Sequence, residues 1–196
     1  MAPIAYPIAW VGPWDERHLF FQFGSQCVSL LPGIPGIYLR REFYKVVLGL
    51  PSKGFVIGFG TIFAQRGTEV GNDVYIGPFC NVGLSKIEDQ VLLGSNVDIV
   101  SGKHTHFFDR IDVPIKDQGG VLKKIRIGKG AWLGNKAVVL ESIGDGTIVG
   151  AGSVVTSEQG PFLIVAGNPA KVIRSRLPEA SVAPGTDQEK APQGAV

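Results

Sequence analysis

The sequence predicts a parallel β-helix, and three observations between Ile57 and Val155 carry this prediction. An aliphatic residue followed by glycine keeps returning at steps of six, which fits neither the helical period of 3.6 nor the strand period of two. The fifth place of each block is small or β-branched. The pattern breaks over residues 101–124 and then resumes. Short repeats of this length are typical of parallel β-helices.

Eight blocks agree at both positions. The aliphatic–glycine pairs begin at Ile57, Val70, Ile76, Leu93, Ile127, Leu133, Ile143 and Val149. The fifth places hold Thr61, Val74, Cys80, Val97, Ala131, Ala137, Thr147 and Ser153. In a β-helix each block supplies one short strand, the aliphatic side chain points inward and glycine permits the corner. Stacked blocks then bury a continuous aliphatic ladder, which a glycine-rich sandwich with irregular turns would not need.

Composition limits the classes of function. The 196 residues suit one main domain with appendages, and a net charge of +2 gives no electrostatic case for nucleic acid as a partner. Cys27 and Cys80 form neither a disulfide framework nor a metal-ligand spacing. With no secretory signal pattern at the N-terminus, the sequence predicts a cytoplasmic location.

The N-terminal region, residues 1–54, is predicted to form an extended arm over residues 1–14 and then a helical hairpin. One helix is expected to start at Asp15-Glu16, and a second to span Ile37–Leu48, with Pro-Gly breaks between them. The uncharged span from Leu19 to Leu39 is not predicted to cross a membrane, because its glutamines, serines and breaks would leave polar groups unmet in lipid.

Two interpretations of this hairpin stay open. In the first it caps or flanks the β-helix. In the second, residues 19–48 lie on the inner membrane surface as a peripheral contact, with Arg40, Arg41 and Lys45 facing anionic headgroups.

The β-helix is predicted to span residues 55–167. A repeat fold that interrupts itself must extrude a loop, so residues 101–124 are expected to project as an insertion. After the repeats, residues 168–178 are predicted to form a short basic helix. The remainder, 179–196, is rich in Pro, Ala, Gly and charge and is expected to be disordered.

The insertion concentrates the chemistry. It contains His104 and His106, which are the only histidines within the repeats, together with Asp109 and Asp112. Histidine has an unperturbed pKa of about 6.5 and suits general-base catalysis near neutral pH. As neighbours at i and i+2 in an extended segment, the two imidazoles are expected to point the same way.

Three segments carry a resemblance to a known family. They read Trp-Leu-Gly at 132–134, Val-Gly-Ala-Gly-Ser-Val-Val at 149–155 and Ala-Gly-Asn-Pro-Ala-Lys-Val-Ile-Arg at 166–174. With the repeats, they resemble the hexapeptide-repeat acyltransferases, above all the acetyltransferases of sugars, antibiotics and surface polysaccharides. The resemblance implies a left-handed parallel β-helix, an exception to the usual right-handed crossover. It also implies acetyl-CoA as acyl donor, no metal, and a homotrimer whose active sites lie between subunits.

The resemblance assigns roles to particular residues. One histidine of the loop takes the proton from the acceptor hydroxyl, which then attacks the acetyl carbonyl directly. Alignment on the proline and Gln-Gly of the loop selects His106, whereas counting from Val97 selects His104; His106 is preferred. Asp109 or Asp112 is expected to orient that histidine or to bind the acceptor.

The cofactor is expected along the C-terminal repeats. Small residues would let its pantetheine arm approach the backbone, and two basic side chains would meet its phosphates. The residues so assigned are Trp132, Gly134, Gly150, Ala151, Gly152, Lys171 and Arg174. The family often has lysine shortly after Val-Val-Thr, whereas Ser157-Glu158 follows Thr156 here, which removes one expected cation.

The predicted function is an acetyl-CoA-dependent O-acetyltransferase acting on a sugar hydroxyl, in surface or exopolysaccharide biosynthesis. An N-acetyltransferase of an amino sugar or nucleotide sugar is the alternative. A non-catalytic β-helix scaffold is more remote, because the loop histidines are retained. A zinc hydratase of the γ-carbonic anhydrase type would need three histidines, and the third, His18, lies outside the repeats.

Overall fold

The computed structural model describes residues 16–50 and 54–178, with the side chains of 18–50 and 54–178. The predicted N-terminal arm and the predicted disordered tail lie outside these residues. Two helices come first, α1 (Glu16–Ser29) and α2 (Gly33–Leu48), and strands follow. The predicted N-terminal helical segment is thus confirmed, as two helices ahead of the strands.

The strands lie in three sheets that the chain visits in turn. Sheet A contains β1 (Val56–Ile57), β4 (Tyr75–Ile76), β7 (Leu92–Leu93), β10 (Trp132–Leu133), β12 (Ile148–Val149), β14 (Leu163–Gly167) and β15 (Ala170–Ser175). Sheet B contains β2 (Ile62–Phe63), β5 (Asn81–Val82), β8 (Asp98–Ile99), β11 (Val138–Val139) and β13 (Val154–Val155). Sheet C contains β3 (Glu69–Val70), β6 (Ser85–Ile87) and β9 (Ile125–Ile127). We call each run of successive strands that visits sheets A, B and C once a triplet.

Strands from successive triplets pair in parallel and in register. In sheet A, Ile57 pairs with Ile76, Ile76 with Leu93, and Leu93 with Leu133. Sheet C continues through single bridges from Ile127 to Ile143 and on to Gln159. Short parallel strands that return to the same three sheets are compatible with a parallel β-helix.

Both repeat positions point inward, as predicted. The eight aliphatic residues that precede the repeat glycines are at most 4% exposed, and the eight small residues at the fifth places are at most 1% exposed. Burial of each aliphatic side chain contributes roughly 1.5–3 kcal/mol relative to exposure. The ladder therefore forms the core of the fold.

Polar residues at the fifth places are hydrogen-bonded within this core. Thr61 Oγ1 donates to the carbonyl of Gly77 (2.7 Å) and accepts from the amide of Cys80 (3.0 Å). Thr147 Oγ1 repeats the arrangement with Gly160 and Leu163. Since an unpaired buried hydroxyl would be costly, these bonds explain why threonine can replace alanine or valine there.

The repeat glycines serve a different purpose from the one predicted. Their φ angles are not positive; the positive-φ residues of the corners come two places later and include Asn96 and Lys136. A Cβ placed on Gly134 would instead lie 2.5 Å from the amide nitrogen of Ala151 in the next triplet. Glycine is required by close packing of successive corners, and the turn itself tolerates other residues.

The helical hairpin lies against the first triplet. The amide of Phe63 donates to Ser25 Oγ, which also bonds the Tyr44 hydroxyl (2.7 Å). The amide of Gly60 donates to the carbonyl of Ser29 (2.8 Å). Burial raises the pKa of Tyr44 to about 12, so its hydroxyl stays protonated. These contacts support the capping interpretation of the hairpin.

Arg40 joins the two helices to the first strand from inside the protein. It is 1% exposed, and its Nε donates to the carbonyl of Ile57 (2.9 Å) while Nη1 donates to that of Leu31 (2.6 Å). Desolvation by burial lowers its pKa from the ordinary value. The expectation that Arg40 faces lipid headgroups is therefore wrong, because its charge is satisfied by backbone carbonyls.

Helix α2 begins four residues earlier than predicted. Pro35 lies in its first turn, where a missing amide hydrogen costs nothing, so the second Pro-Gly pair does not break the helix. Within the part of the chain that the structure describes, neither this helix nor α1 is both long and apolar enough to span a membrane.

The predicted C-terminal helix is wrong. Residues Ala170–Ser175 form β15, which pairs antiparallel with β14 and covers its outer edge. The β-branched Val172 and Ile173 favour a strand, and an uncovered edge of sheet A would leave backbone groups unpaired. Lys171 and Arg174 therefore stand on a strand, opposite Ala166 and Ile164.

Replacement of Arg40 by Met is expected to lower the free energy of unfolding by about 1.5–3 kcal/mol, because charged hydrogen bonds to buried carbonyls are lost. The matched control is Arg41→Met. Arg41 is partly exposed, pairs with Glu42 and stacks on Tyr38, so its loss should cost less than about 1 kcal/mol. Urea unfolding at one fixed protein concentration measures both; equal losses would contradict the anchoring role of Arg40.

Candidate functional site

The insertion 101–124 leaves the ladder between β8 of sheet B and β9 of sheet C. Its two arms run side by side and are joined by three backbone hydrogen bonds, with N···O distances of 2.8–2.9 Å. The bonds run from the amide of Lys123 to the carbonyl of Ser101, from the amide of Val121 to the carbonyl of His104, and from the amide of Phe107 to the carbonyl of Gly119. A Cβ on Gly120 would overlap the carbonyl of Thr105, so the arms are in close contact. The insertion is thus a hairpin-like loop with a defined neck.

Both histidines stand on the outgoing arm and are exposed to solvent. The residues around them form a turn and a bend rather than a strand, so the expectation of two imidazoles on one side of an extended segment is not met. Among the described residues, no hydrogen bond or ion pair is made by either imidazole. Both rings therefore face solvent without a side-chain partner among the described residues.

Asp109 and Asp112 form no hydrogen bond or ion pair with these histidines. Asp112 pairs with Arg110 (2.6 Å), which holds the pKa of Asp112 below its ordinary value. Gln118 donates to the carbonyls of Arg110 and Val113 and so shapes the tip of the loop. Asp109 is exposed on the same arm as the histidines. No hydrogen bond or ion pair therefore supports the prediction that Asp109 or Asp112 orients a histidine.

The residues assigned to the cofactor lie along sheet A and at the corner between sheets A and B. Trp132 points outward and is 48% exposed, in register with Leu92 and Ile148. The corner beside it is built from Gly134, which packs on Ala151, and from Gly150 and Gly152. Strand β15, three strands further along the sheet, presents exposed Lys171 and Arg174 about 15 Å away. The corner and the two cations form an outward strip of small, aromatic and basic residues.

The histidine loop and this strip are attached at different corners of the ladder. The loop leaves the core at the corner between sheets B and C, whereas the small residues lie at the corner between sheets A and B. Side chains of the loop form hydrogen bonds or ion pairs with three residues outside it, which are Leu84, Glu69 and Glu141. Among the residues in view, no hydrogen bond or ion pair joins the loop to Trp132 or to residues 150–152.

Neither cysteine provides a nucleophile at the loop. Cys80 is buried, its thiol donates to the carbonyl of Gly94 (3.1 Å), and burial raises its pKa. Cys27 is exposed, but it lies on helix α1. Within residues 18–50 and 54–178, no three His, Cys, Asp or Glu side chains are grouped to hold a metal ion.

The chain also has a cleft of about 390 Å³ that contains none of the predicted site residues. It lies beside sheet C, between the end of α2 and the first corners, and its lining includes Leu50, Lys86, Asp89 and Lys129. Charges of both signs line it, and two of them, Glu69 and Glu88, are paired with Lys124 and Arg126.

Sequence comparison finds relatives among acetyltransferases, although no protein-family profile matches the chain. A probable acetyltransferase of Mycobacterium tuberculosis is 35% identical over 109 residues, which are 55% of this chain and 35% of that protein. A putative acetyltransferase of Schizosaccharomyces pombe is 32% identical over 126 residues, or 62% of this chain and 54% of that one. The chain thus spans about a third to a half of the length of these relatives.

Solved structures share the fold. A maltose O-acetyltransferase from Clostridium difficile matches with a TM-score of 0.69 at 23% identity, over 82% of this chain and 89% of that chain. A galactoside acetyltransferase in complex with coenzyme A matches at 0.63 and 20% identity, over 84% and 85%. A hexapeptide-repeat acetyltransferase from Vibrio cholerae in complex with acetyl-CoA matches at 0.63 and 16% identity, over 81% and 88%.

A further structural neighbour transfers an acyl group to nitrogen. The N-acyltransferase AntD from Bacillus cereus, in complex with dTDP and 3-hydroxybutyryl-CoA, matches with a TM-score of 0.52 at 18% identity, over 70% of this chain and 88% of that chain. In sequence the chain is therefore similar to acetyltransferases, and in fold to hexapeptide-repeat acetyltransferases, which confirms the resemblance drawn from its motifs.

Replacement of Gly134 by Ala is expected to lower the free energy of unfolding by about 1–3 kcal/mol, because the new methyl group would overlap the backbone of Ala151. Gly160→Ala is the matched control, since a methyl group there meets its nearest neighbour, a Leu163 carbon, at 3.6 Å. This control should change stability by less than about 0.5 kcal/mol. Equal losses in urea unfolding would show that close packing is not what requires glycine at 134.

Proposed function

We propose that this hexapeptide-repeat chain is an acetyl-CoA-dependent O-acetyltransferase that acts on a sugar hydroxyl during surface or exopolysaccharide biosynthesis. The observation that carries the proposal is the loop 101–124, which interrupts an otherwise regular ladder and presents His104 and His106 to solvent. The acetyltransferase relatives and the fold of sugar acetyltransferases support it.

The proposal includes a left-handed parallel β-helix as the scaffold. In-register parallel pairing in three sheets and the likeness to hexapeptide-repeat acetyltransferases support it. In such a scaffold the outward faces of the last triplets present a long, rigid surface, and the loop is the part of the chain that can reach a second molecule.

Chemically, one loop histidine acts as general base. A neutral imidazole accepts the proton of the acceptor hydroxyl as the oxygen bonds to the acetyl carbonyl carbon; the C–S bond then breaks, and the imidazolium returns its proton to the leaving thiolate. His106 is the preferred base and His104 the alternative. Because Cys80 is buried and Cys27 lies on α1, transfer without a covalent acyl-enzyme is the simpler route.

Acetyl-CoA supplies the activated acyl group, and the residues of the outward strip fit such a donor. Gly134, Gly150, Ala151 and Gly152 offer a corner where a narrow chain can approach the backbone. Trp132 offers an exposed aromatic face beside it. Lys171 and Arg174 would meet the phosphates as exposed cations on β15. On the acceptor side, we assign Asp109 and Asp112 to hydrogen bonds with hydroxyl groups, since neither contacts a histidine.

A homotrimer completes this proposal. Because the histidine loop and the outward strip stand at different corners of one chain, a loop from one copy and a strip from the next would together form a site. Sheet A supports such contact with a row of outward apolar side chains, Tyr75, Leu92 and Trp132, each between 43% and 48% exposed. Exposed apolar rows of this kind are typical of surfaces that another protein covers.

The membrane contact through residues 19–48 stays a prediction. The outer surface of the hairpin offers exposed Phe20, Phe23, Leu30 and Ile34, which suit either lipid or a second protein surface. Arg41 and Lys45 lie at its rim and pair with Glu42.

N-acylation of an amino sugar or nucleotide sugar is the second candidate function. The likeness to AntD, an N-acyltransferase solved with dTDP, favours it. An amine acceptor is already a nucleophile once neutral, so it depends less on the loop histidine than an alcohol does.

Separate replacement of His104 and His106 by Ala is expected to identify the base. Replacement of the true base should lower the rate of acetyl transfer from acetyl-CoA to an acceptor by about 10²–10⁴-fold, whereas replacement of the other histidine should lower it far less. Each variant serves as the control for the other, because both residues are exposed on the same arm. If both variants keep full activity, histidine catalysis is wrong; if the unaltered chain transfers no acetyl group, the chain is a scaffold.

The acceptor is tested by acetyl-CoA turnover, corrected for hydrolysis, against sugars, lipid-linked glycans, amino sugars and nucleotide-linked amino sugars. We expect ester products on a hydroxyl, which dilute hydroxylamine cleaves. Amide products resist that treatment, so a resistant product would replace the O-transfer proposal with N-transfer.

A further inference from the structure

Glu141 occupies an unusual place beneath the neck of the loop. It lies in the four-residue step from Val139 to Ile143, which is shorter than the regular block. Its side chain is only 10% exposed, although it carries a carboxylate. Side chains of this kind are rarely buried unless they are paired.

The partners of Glu141 are one lysine from each arm of the loop. Its Oε2 contacts Nζ of Lys123 on the returning arm (2.5 Å), and its Oε1 contacts Nζ of Lys103 on the outgoing arm (3.4 Å). These two ammonium groups hold the pKa of Glu141 below its ordinary value, with Lys123 the stronger influence. The carboxylate therefore stays charged at neutral pH and joins both arms at once.

This double pairing acts next to the histidines. Lys103 directly precedes His104, and the carbonyl of His104 accepts the amide of Val121, two residues before Lys123. Of the side chains that tie the loop to the ladder, Glu141 alone among the described residues contacts both arms. Ion pairs at an exposed surface contribute little to stability, but the carboxylate of Glu141 is nearly buried. Removing its charge would leave both lysines without their shared partner.

We propose that Glu141 is a positioning residue that fixes the histidine loop on the ladder by holding Lys103 and Lys123 together. The consequence for catalysis rests on the proposed function, whereas the effect on the loop does not. Glu141 does not touch the reacting atoms in this proposal; it acts through the two lysines on the place of the imidazole.

The test compares Glu141→Gln with Glu69→Gln. Glu69 pairs with Lys124 just beyond the neck (2.6 Å), and both partners are about half exposed, so its loss is the matched control for removing one loop-side ion pair. Hydrogen exchange is read at the amides of Val121 and Phe107, which close the loop, and at that of Val138, which bonds Ser153 in the ladder. We expect exchange at the two loop amides to rise about tenfold or more in Glu141→Gln only, with Val138 unchanged.

Steady-state kinetics supply the second reading. We expect kcat of Glu141→Gln to fall about tenfold while KM for acetyl-CoA stays within about twofold, because the base is displaced and the donor strip is not. A general loss of stability would instead raise both the exchange rate of the Val138 amide and KM for acetyl-CoA. The double variant Lys103→Gln, Lys123→Gln replaces exposed residues only. Adding Glu141→Gln to this double variant should change neither loop exchange nor kcat any further.

The outcomes separate the two proposals. Unchanged loop exchange in Glu141→Gln overturns the positioning role whether or not the chain is an enzyme. Faster loop exchange in a chain that transfers no acetyl group supports the positioning role of Glu141 and overturns the proposed function. Faster exchange with unaltered kcat in an active enzyme overturns the link between the tie and catalysis. Should Glu141→Gln fail to fold, the lysine double variant gives the same readings.

Discussion

In-register stacking of inward side chains is the constraint on which the rest of this structure depends. Each triplet must place its aliphatic residues directly over those of the previous one, at a strand spacing of about 4.8 Å. Ile87 and Ile127 keep this register although the whole insertion separates them in sequence. Extra residues cannot enter such a ladder, so they must leave it sideways. The loop with its histidines is outside the core for that reason, and it can vary in sequence without disturbing the stack.

The same constraint leaves two open ends, and the chain covers them by different means. At the first end, the helical hairpin supplies Ser25 and Arg40, whose polar groups meet backbone atoms of the first triplet. At the last end, β15 folds back on β14 and pairs with its outer edge. A helix cannot pair along the length of a strand edge through its backbone, so the first end relies on side chains and on the carbonyl of Ser29 at the end of α1, whereas the second uses a paired strand. This difference explains why a buried arginine is tolerated in the hairpin.

The sequence predicted those features that depend on local spacing. The inward ladder, the small fifth places and the loop at 101–124 follow from a six-residue period and one break in it. The C-terminal strand was missed because Lys171, Arg174 and Pro169 also suit a helix start, and only pairing with β14 decides between them. Arg40 was misplaced because a charge on a helix suggests solvent until its carbonyl partners are known. Glu141 was not among the site residues that the sequence predicted; the signal for it is the four-residue step from Val139 to Ile143, where the regular block is shortened.

The candidate site shows why the fold alone does not complete the chemistry. A ladder with three sheets presents three corners, and any one residue of a block can face only one of them. The insertion is fixed at the corner between sheets B and C by Glu141 and by backbone bonds at its neck, whereas the strip with Trp132 and Gly150–Gly152 is fixed near the corner between sheets A and B. Because both are attached to a rigid stack, the histidine loop and the strip of one chain keep their separate corners. In the proposed homotrimer, the rotation between subunits would bring different corners together without bending the ladder. The stiffness that excludes the loop from the core is thus also the property on which the proposal of a site shared between copies rests.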